Sequence, residues 1–174
     1  LCRREKKNRV CVVRTFVFPY HGRSSLGRIL NYVSFMFSSL LGIFLTPRCD
    51  VIYVWHPPLT VGVAAVVLSF MKRAPFVYDV QDIWPESIAL SGWRLPSVMV
   101  HLLHWLERFI YQFANRILVV TPGAKKNLVK KGVCADKVSV ASHWVDEALF
   151  LKQHYENHDI RGLLTANYYI TRTD

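Results

Sequence analysis

The stretch FVYDVQDIWPESIALSG, residues 76–92, decides the fold. It begins with the apolar run Phe76–Tyr78, and three carboxylates follow: Asp79, Asp82 and Glu86. An apolar run that ends in carboxylates is typical of a buried strand with a loop at its carboxyl end, where ligands bind in open parallel sheets. The stretch therefore predicts that the carboxylates converge with Trp84 at a sheet edge. The alternative is that an aspartate caps the next helix and Trp84 lies in the core.

Strand and helix segments alternate on both sides of this stretch. Besides the run at Phe76, four segments predict strands: Val10–Phe18, Val51–Val54, Arg116–Thr121 and Lys137–Ala141. Four segments predict helices: Ile29–Leu45, Thr60–Met71, Ser97–Asn115 and Gly123–Lys131. Strand–helix–strand units pair their strands in parallel, so we expect an α/β fold with a Rossmann-like, doubly wound parallel sheet. Glycine-rich dinucleotide and P-loop motifs are missing from the sequence, which disfavours a dehydrogenase or a P-loop enzyme.

Two of the predicted helices leave questions of orientation open. In Ile29–Leu45 the small or polar residues share one face: Asn31, Ser34, Ser38 and Gly42. This helix either packs on the sheet, lies partly in a bilayer surface, or spans a membrane. In the helix Ser97–Asn115 we expect a buried stripe of Leu102, Leu106, Phe109 and Phe113, with His101, His104, Arg108 and Tyr111 on the opposite side. His101 and His104 are spaced as metal ligands or lie on a solvated face.

The net charge of +10 over 174 residues favours anionic partners. One basic cluster lies between Arg3 and Arg14, and a second lies between Lys125 and Lys137. Lys125 near a helix start either meets a phosphate or is a solvated surface lysine. No nucleic-acid-binding motif accompanies the charge, so nucleic acid is not expected as a partner. The four cysteines have no metal spacing and predict reduced thiols in a cytosolic protein.

The string DVQDIWPES, Asp79–Ser87, resembles the N-terminal lobe of family 4 glycosyltransferases. It is most similar to those of bacterial O-antigen, capsule and colanic-acid synthesis, including L-fucosaminyltransferase-like enzymes. The likeness runs from about Val10 to Phe150. It implies a GT-B fold, in which the N-terminal lobe binds the acceptor and a C-terminal lobe binds most of the nucleotide-sugar donor. It also implies transfer with retention of configuration and without a metal or another cofactor.

The resemblance assigns roles to single residues. Asp82 matches the aspartate of a His-Asp pair and is the expected catalytic residue, although Gln81 stands where relatives carry histidine. The expected acceptor-binding residues are His56, Asp79, Gln81, Trp84 and Glu86, with Trp84 able to stack on a sugar. His143 and Asp146 resemble an Asn-x-x-Asp hinge on the donor side, with His143 in place of asparagine.

The resemblance also divides the chain. Residues 1–150 are expected to form the acceptor-side lobe, without the family's first strand and glycine-rich loop, and residues 151–174 a tail or linker to an absent C-terminal lobe. The implied function is sugar transfer to a saccharide, or to a lipid-diphosphate-linked acceptor, in bacterial surface polysaccharide synthesis. We expect a cytoplasmic location at the anionic inner face of the cell membrane, and a chain that is inactive alone. The alternative is a non-catalytic lobe that binds a membrane surface or a protein.

Overall fold

The computed structural model describes residues 2–20, 22, 24–90 and 96–143. One compact unit spans Leu1–Ser142, and the predicted domain boundary at residue 150 lies outside the described residues. The strands are β1 Cys2–Lys7, β2 Val10–Thr15, β3 Ile52–His56, β4 Phe76–Val80, β5 Arg116–Val119 and β6 Val138–Val140. The helices are α1 Ser25–Gly42, α2 Val61–Lys72, α3 Glu86–Leu90, α4 Ser97–Phe113 and α5 Pro122–Lys130. Short 3-10 turns follow α1 at Ile43–Leu45 and precede β6 at Ala135–Lys137.

A parallel sheet in the order β3-β4-β5-β6 organises this unit. Each new strand joins on the same side of the previous one, and βαβ crossovers are right-handed, so the connecting helices lie on one face. Side chains of α2, α4 and α5 accordingly share a single apolar core with the sheet. This α/β architecture confirms the predicted fold class and is consistent with a Rossmann-like lobe of a GT-B fold.

The prediction of a single strand from Val10 to Phe18 within the parallel sheet is wrong. The first half, β2, pairs with β1 in an antiparallel hairpin, closed by Asn8 and Arg9 at φ 47° and 67°. Two residues with positive φ give the tight turn that joins neighbouring antiparallel strands.

The second half of that segment is held by helix α1 instead of by a strand. The Phe18 amide donates to Ser34 Oγ at 2.8 Å, the Asn31 side-chain amide donates to the Phe18 carbonyl at 2.6 Å, and Ser38 donates to the Phe16 carbonyl. These bonds satisfy backbone groups that a sheet would otherwise pair. They also confirm that the polar residues of α1 share one face.

Helix α1 therefore packs with its small residues inward. Its buried residues are Gly27, Ser38 and Gly42, and a Cβ added to Gly42 would lie 2.7 Å from the Thr15 methyl group. The segment Ser25–Leu45 has a mean hydropathy of 1.5 and is long and apolar enough to cross a membrane by length and composition.

Helix α4 is rotated relative to the predicted stripe. Its buried residues are Glu107, Ile110 and Tyr111, whereas Leu102 is 54 % exposed and Phe113 is also exposed. Leu106 and Phe109 are half-buried. The rotation follows from the contact with α2, because Gly62 leaves room for Ile110 to enter: a Cβ at Gly62 would lie 2.6 Å from Ile110 Cδ1.

Candidate functional site

The carboxyl ends of the four parallel strands meet at one edge of the sheet, and the polar residues of the 76–92 stretch lie there. Strand β4 has neighbours on both sides, so the loop that leaves it begins near the middle of this edge. Alternation along β4 buries Phe76, Tyr78 and Val80 and turns Asp79 to the other face. The loop then carries Gln81 and Asp82.

Asp79 is the shared hydrogen-bond acceptor of a small polar cluster. Its carboxylate accepts a hydrogen bond from Gln81 Nε2 at 2.7 Å and another from the Tyr53 hydroxyl of strand β3. The hydrogen bond to Asp79 raises the pKa of Tyr53, since it stabilises the protonated phenol. Because the carboxylate fixes the amide nitrogen of Gln81, the amide oxygen remains to accept from another donor.

Asp82 is exposed on the loop after β4. It is therefore accessible to a ligand at the carboxyl edge, where it was predicted. Gln81 is half-buried beside it. The catalytic role of Asp82 and the acceptor contacts of Asp79 and Gln81 stay predictions.

His56 and Trp84 lie in the core of the described unit, and their role as acceptor-binding residues stays a prediction. His56 is 1 % exposed and Trp84 is 9 % exposed, so little of either ring is accessible in the described unit. Their rings meet edge to face at 5.7 Å, and Tyr32 packs on Trp84 at 5.8 Å. Both are buried because of their position. His56 is the last of the alternate residues of β3 that face the core, and Trp84 packs against it. Their side chains lie in the core, directly under the carboxyl edge of the sheet.

The buried His56 ring has no hydrogen-bond partner at either nitrogen among the described residues. Burial lowers the pKa of His56 to about 4, because a charged imidazolium would lose its hydration. The ring is therefore neutral near neutral pH. The Tyr78 hydroxyl beside it is also buried and unpartnered within the described structure.

Glu86 belongs to a network that sequence reasoning missed. Lys131, directly after α5, donates to Glu86 at 2.8 Å, to the two Glu107 oxygens at 2.9 and 3.0 Å, and to the Trp84 carbonyl at 3.2 Å. The network ties the loop after β4 to α4 and α5. Glu86 is 43 % exposed at its side chain and Glu107 only 1 %, so Glu86 alone still faces solvent. Its acceptor-binding role stays a prediction.

Glu107 is the buried end of this network. Burial raises its pKa, and the hydrogen bonds from Lys131 and Tyr111 act in the opposite direction. Burial and the nearby Glu107 carboxylate raise the pKa of Tyr111 well above its usual value. The sequence shows only a glutamate in an amphipathic helical segment and a lysine in a basic one, and this does not reveal a pair 24 residues apart.

The lysine cluster predicted to meet anions is partly used inside the protein. Lys131 bonds to the two glutamates, and Lys137 donates to the Gln112 carbonyl at 2.9 Å. Lys125 lies near the start of α5, whose first turn is capped by Thr121 Oγ1 accepting from the Ala124 amide at 3.1 Å. A phosphate contact by Lys125 stays a prediction.

The histidines of α4 have local partners. His101 Nδ1 lies 2.7 Å from the Ser97 carbonyl, and His104 Nδ1 lies 3.7 Å from Glu107. Within the described ranges, no group of three or more His, Cys, Asp or Glu side chains is placed to hold a metal ion. His143 is exposed just after β6, and Asp146 lies outside the described residues, so the hinge stays a prediction.

A parallel α/β lobe with polar side chains at its carboxyl edge belongs to the class of proteins that bind ligands at that edge. The family model "Glycosyl transferase 4-like domain" matches residues 2–144. Because the match covers most of the chain, the chain belongs to the glycosyl transferase 4-like domain family. A comparison with curated proteins gave no match. Family membership makes this unit a glycosyltransferase N-terminal lobe by resemblance and implies, in general, a sugar donor and a sugar acceptor.

Proposed function

We propose that this lobe is the acceptor-binding half of a retaining, metal-independent glycosyltransferase. The enzyme transfers a sugar from a nucleotide sugar to a lipid-diphosphate-linked saccharide in bacterial surface polysaccharide synthesis, at the inner face of the cell membrane. The observation that carries the proposal is the exposed Asp82 at the end of the central strand, beside the Asp79–Gln81 hydrogen bond, in a chain of this family.

The polar residues at this edge suit the recognition of sugar hydroxyls. An ionised carboxylate accepts up to four hydrogen bonds, and the oriented Gln81 amide oxygen accepts from a neighbouring hydroxyl. Asp79 holds the Gln81 amide in place, and the Lys131 network holds the loop that follows. Fixing these acceptors before the sugar binds lowers the entropic cost of orientation, which is the main contribution that an acceptor lobe makes to transfer.

Calorimetric binding of a short-chain lipid diphosphate bearing N-acetylglucosamine tests this role. The wild-type chain should bind the probe, and Asp82→Asn should weaken binding by about tenfold or more, because a hydrogen bond to a charged group contributes about 1.5–3 kcal/mol. Asp136→Asn is the matched control: this aspartate is also exposed, but it precedes β6 at the opposite edge of the sheet.

Equal affinities for the wild type and Asp82→Asn would overturn the assignment of Asp82. Absence of binding to a folded wild-type chain would overturn acceptor recognition as a whole. That second result would favour the alternative function of a non-catalytic binding lobe.

A further inference from the structure

Two helices of the lobe turn apolar stripes outward. On α1 and the turn after it, the exposed side chains recur every three or four residues or at twice that spacing: Leu26, Leu30, Phe37, Leu41 and Phe44. On α4 the same spacing exposes Val98, Leu102, Trp105 and Phe113. Such spacing places the members of each set on one side of their helix. Contiguous exposed apolar surface of this kind marks an interaction site.

The stripe on α4 continues as a row of aromatic rings onto α2. Trp105 stacks on Phe109 with ring centres 5.6 Å apart, Phe109 contacts Phe113 at 4.9 Å, and Phe113 contacts Phe70 of α2 at 5.4 Å. We call these four residues the aromatic ladder. Trp105 and Phe70 are both largely exposed. Because the rings sit on two regular helices and contact one another, the ladder is one continuous surface.

The inner faces of both helices show that this orientation is specific. Helix α1 uses Asn31, Ser34 and Ser38 to bind the backbone of residues 16–18. Helix α4 places Glu107 against Lys131 inside the protein. A rotation that buried either apolar stripe would break these hydrogen bonds, and in α4 it would also separate the buried Glu107 carboxylate from Lys131, which is costly. The apolar residues therefore face outward as a consequence of what the inner faces bind.

The charges on these helices select an anionic partner. Helices α1, α2 and α4 contain a single acidic residue, Glu107, and that residue is buried. Their Lys and Arg residues are Arg28, Lys72 and Arg108. Arg108 is exposed beside the ladder, whereas Lys72 is half-buried and donates to the Thr46 carbonyl at 2.8 Å. Outward apolar stripes without an exposed carboxylate, and with basic residues on the same helices, suit an anionic membrane interface.

We propose that α1, α2 and α4 form the docking surface of this lobe for an anionic lipid bilayer, with the aromatic ladder at the level of the headgroups. The inference rests on the membrane-face part of the proposed function and identifies its surface. The opposite face of the sheet, which carries Tyr53 and Trp55, then points away from the lipid.

Two tryptophans give a matched pair for the test. Trp105 on the ladder is 61 % exposed, and Trp55 on the opposite face of the sheet is 57 % exposed. Binding is measured by co-sedimentation with vesicles of phosphatidylcholine containing about a quarter phosphatidylglycerol, at low salt. Trp105→Ser should weaken binding about tenfold, because interfacial burial of one large apolar side chain contributes about 1.5 kcal/mol or more. Trp55→Ser should stay within about twofold.

Quenching by brominated lipid gives a second readout that does not depend on a polar substitution. Trp105→Phe keeps an apolar ring and should still bind, but it should remove most of the quenched tryptophan emission. Trp55→Phe should leave that emission quenched. Salt of about 0.5 M should weaken binding, because it screens the basic residues.

Three results would overturn the proposal. The first is no binding to anionic vesicles at low salt, and the second is equal loss of binding in both serine variants. The third is a stable dimer in analytical ultracentrifugation that Trp105→Ser dissociates, because it would assign the surface to a second copy of the chain. The vesicles carry no saccharide, so failure here is separate from failure of acceptor binding in the calorimetric test.

Discussion

At the scale of single residues, Lys131 has the most consequential contacts near the candidate site. Its ammonium group contacts the Trp84 carbonyl, Glu86 and Glu107, so one side chain joins the loop after β4 to helices α4 and α5. Glu107 is buried and Lys131 is half-buried, and a buried carboxylate left without its cation is strongly destabilising.

We expect Lys131→Met to lower the free energy of unfolding by about 3 kcal/mol. The double variant Lys131→Met/Glu107→Met should recover much of the loss, because the unpaired charge is then absent. Lys130→Met is the control, since this exposed neighbour should change stability by less than about 0.5 kcal/mol. Urea denaturation monitored by circular dichroism measures all three. Equal free energies of unfolding for the Lys130 and Lys131 variants would show that the network does not contribute to stability.

His56 predicts how stability depends on pH. Its pKa is lowered to about 4 in the folded state, whereas an unfolded histidine titrates near 6.5. Between these values the unfolded chain binds a proton that the folded chain does not, so the free energy of unfolding falls as the pH falls from about 6.5 to about 4. The full contribution is about 3 kcal/mol, from 1.36 kcal/mol per unit.

The measurement is urea denaturation across this pH range for the wild type and for His56→Phe, which keeps a ring but cannot titrate. The variant should lose less stability on acidification, and the difference between the two profiles isolates the contribution of His56 from that of the carboxylates, which both proteins share. Parallel pH profiles for the wild type and His56→Phe would contradict the buried, neutral imidazole.

At the scale of helices and strands, the sequence predicted which segments are helical better than which side of each helix is buried. The hydrophobic pattern of α4 contains two neighbouring stripes, one through Leu102 and Phe113 and one through Ile110. Periodicity alone does not choose between them. The choice depends on Gly62 of another helix and on Lys131, which are distant in sequence. In α1, likewise, the buried side is set by hydrogen bonds to the backbone of residues 16–18, outside the helix.

The contact between Gly62 and Ile110 predicts that the effect of Gly62→Ala on stability changes sign when Ile110 is replaced by alanine. Gly62→Ala should destabilise the protein by about 1 kcal/mol, because overpacking costs about 1–3 kcal/mol and alanine's helix propensity returns up to about 1 kcal/mol. In an Ile110→Ala background the clash is removed, so the same substitution should stabilise by about 0.5–1 kcal/mol.

Gly123 of α5 is the matched control, because a Cβ there meets its nearest neighbour at 3.8 Å. Gly123→Ala should not destabilise the protein in either background. Chemical denaturation of the four combinations at positions 62 and 110 gives the coupling energy directly. If Gly62→Ala had the same effect in both backgrounds, this contact would not set the orientation of α4.

At the scale of the whole molecule, the parallel sheet and the position of the site at its carboxyl edge could be predicted from alternating strand and helix patterns. Asp79, Gln81 and Asp82 lie there because they follow a buried strand. The sequence left open whether Trp84 lies at the edge or in the core, and it gave no sign that His56 is buried. The choice depends on Tyr32, which contacts Trp84, and on Tyr78, which contacts His56. The hairpin was missed because a charged segment, Cys2–Lys7, lacks the apolar alternation typical of strands.

Hydrogen exchange should show that the parallel sheet is more stable than the β1–β2 hairpin. Strands β4 and β5 are flanked by strands on both sides and lie over the shared core, so their amides should exchange only through global unfolding. The β1–β2 hairpin is a two-stranded sheet with mostly exposed or half-buried residues, and isolated hairpins are marginally stable. Its amides should therefore exchange much faster, through local opening.

Exchange followed by mass spectrometry, with and without a low concentration of urea, separates the two classes. Urea should accelerate exchange in Phe76–Val80 strongly, since global unfolding exposes much surface, and should affect Cys2–Lys7 little. Gly42→Val, which places side-chain atoms against Thr15, should accelerate exchange in the hairpin more than in β4. Protection of the hairpin equal to that of β4 would mean that β1, β2 and α1 unfold together with the parallel sheet as one cooperative unit.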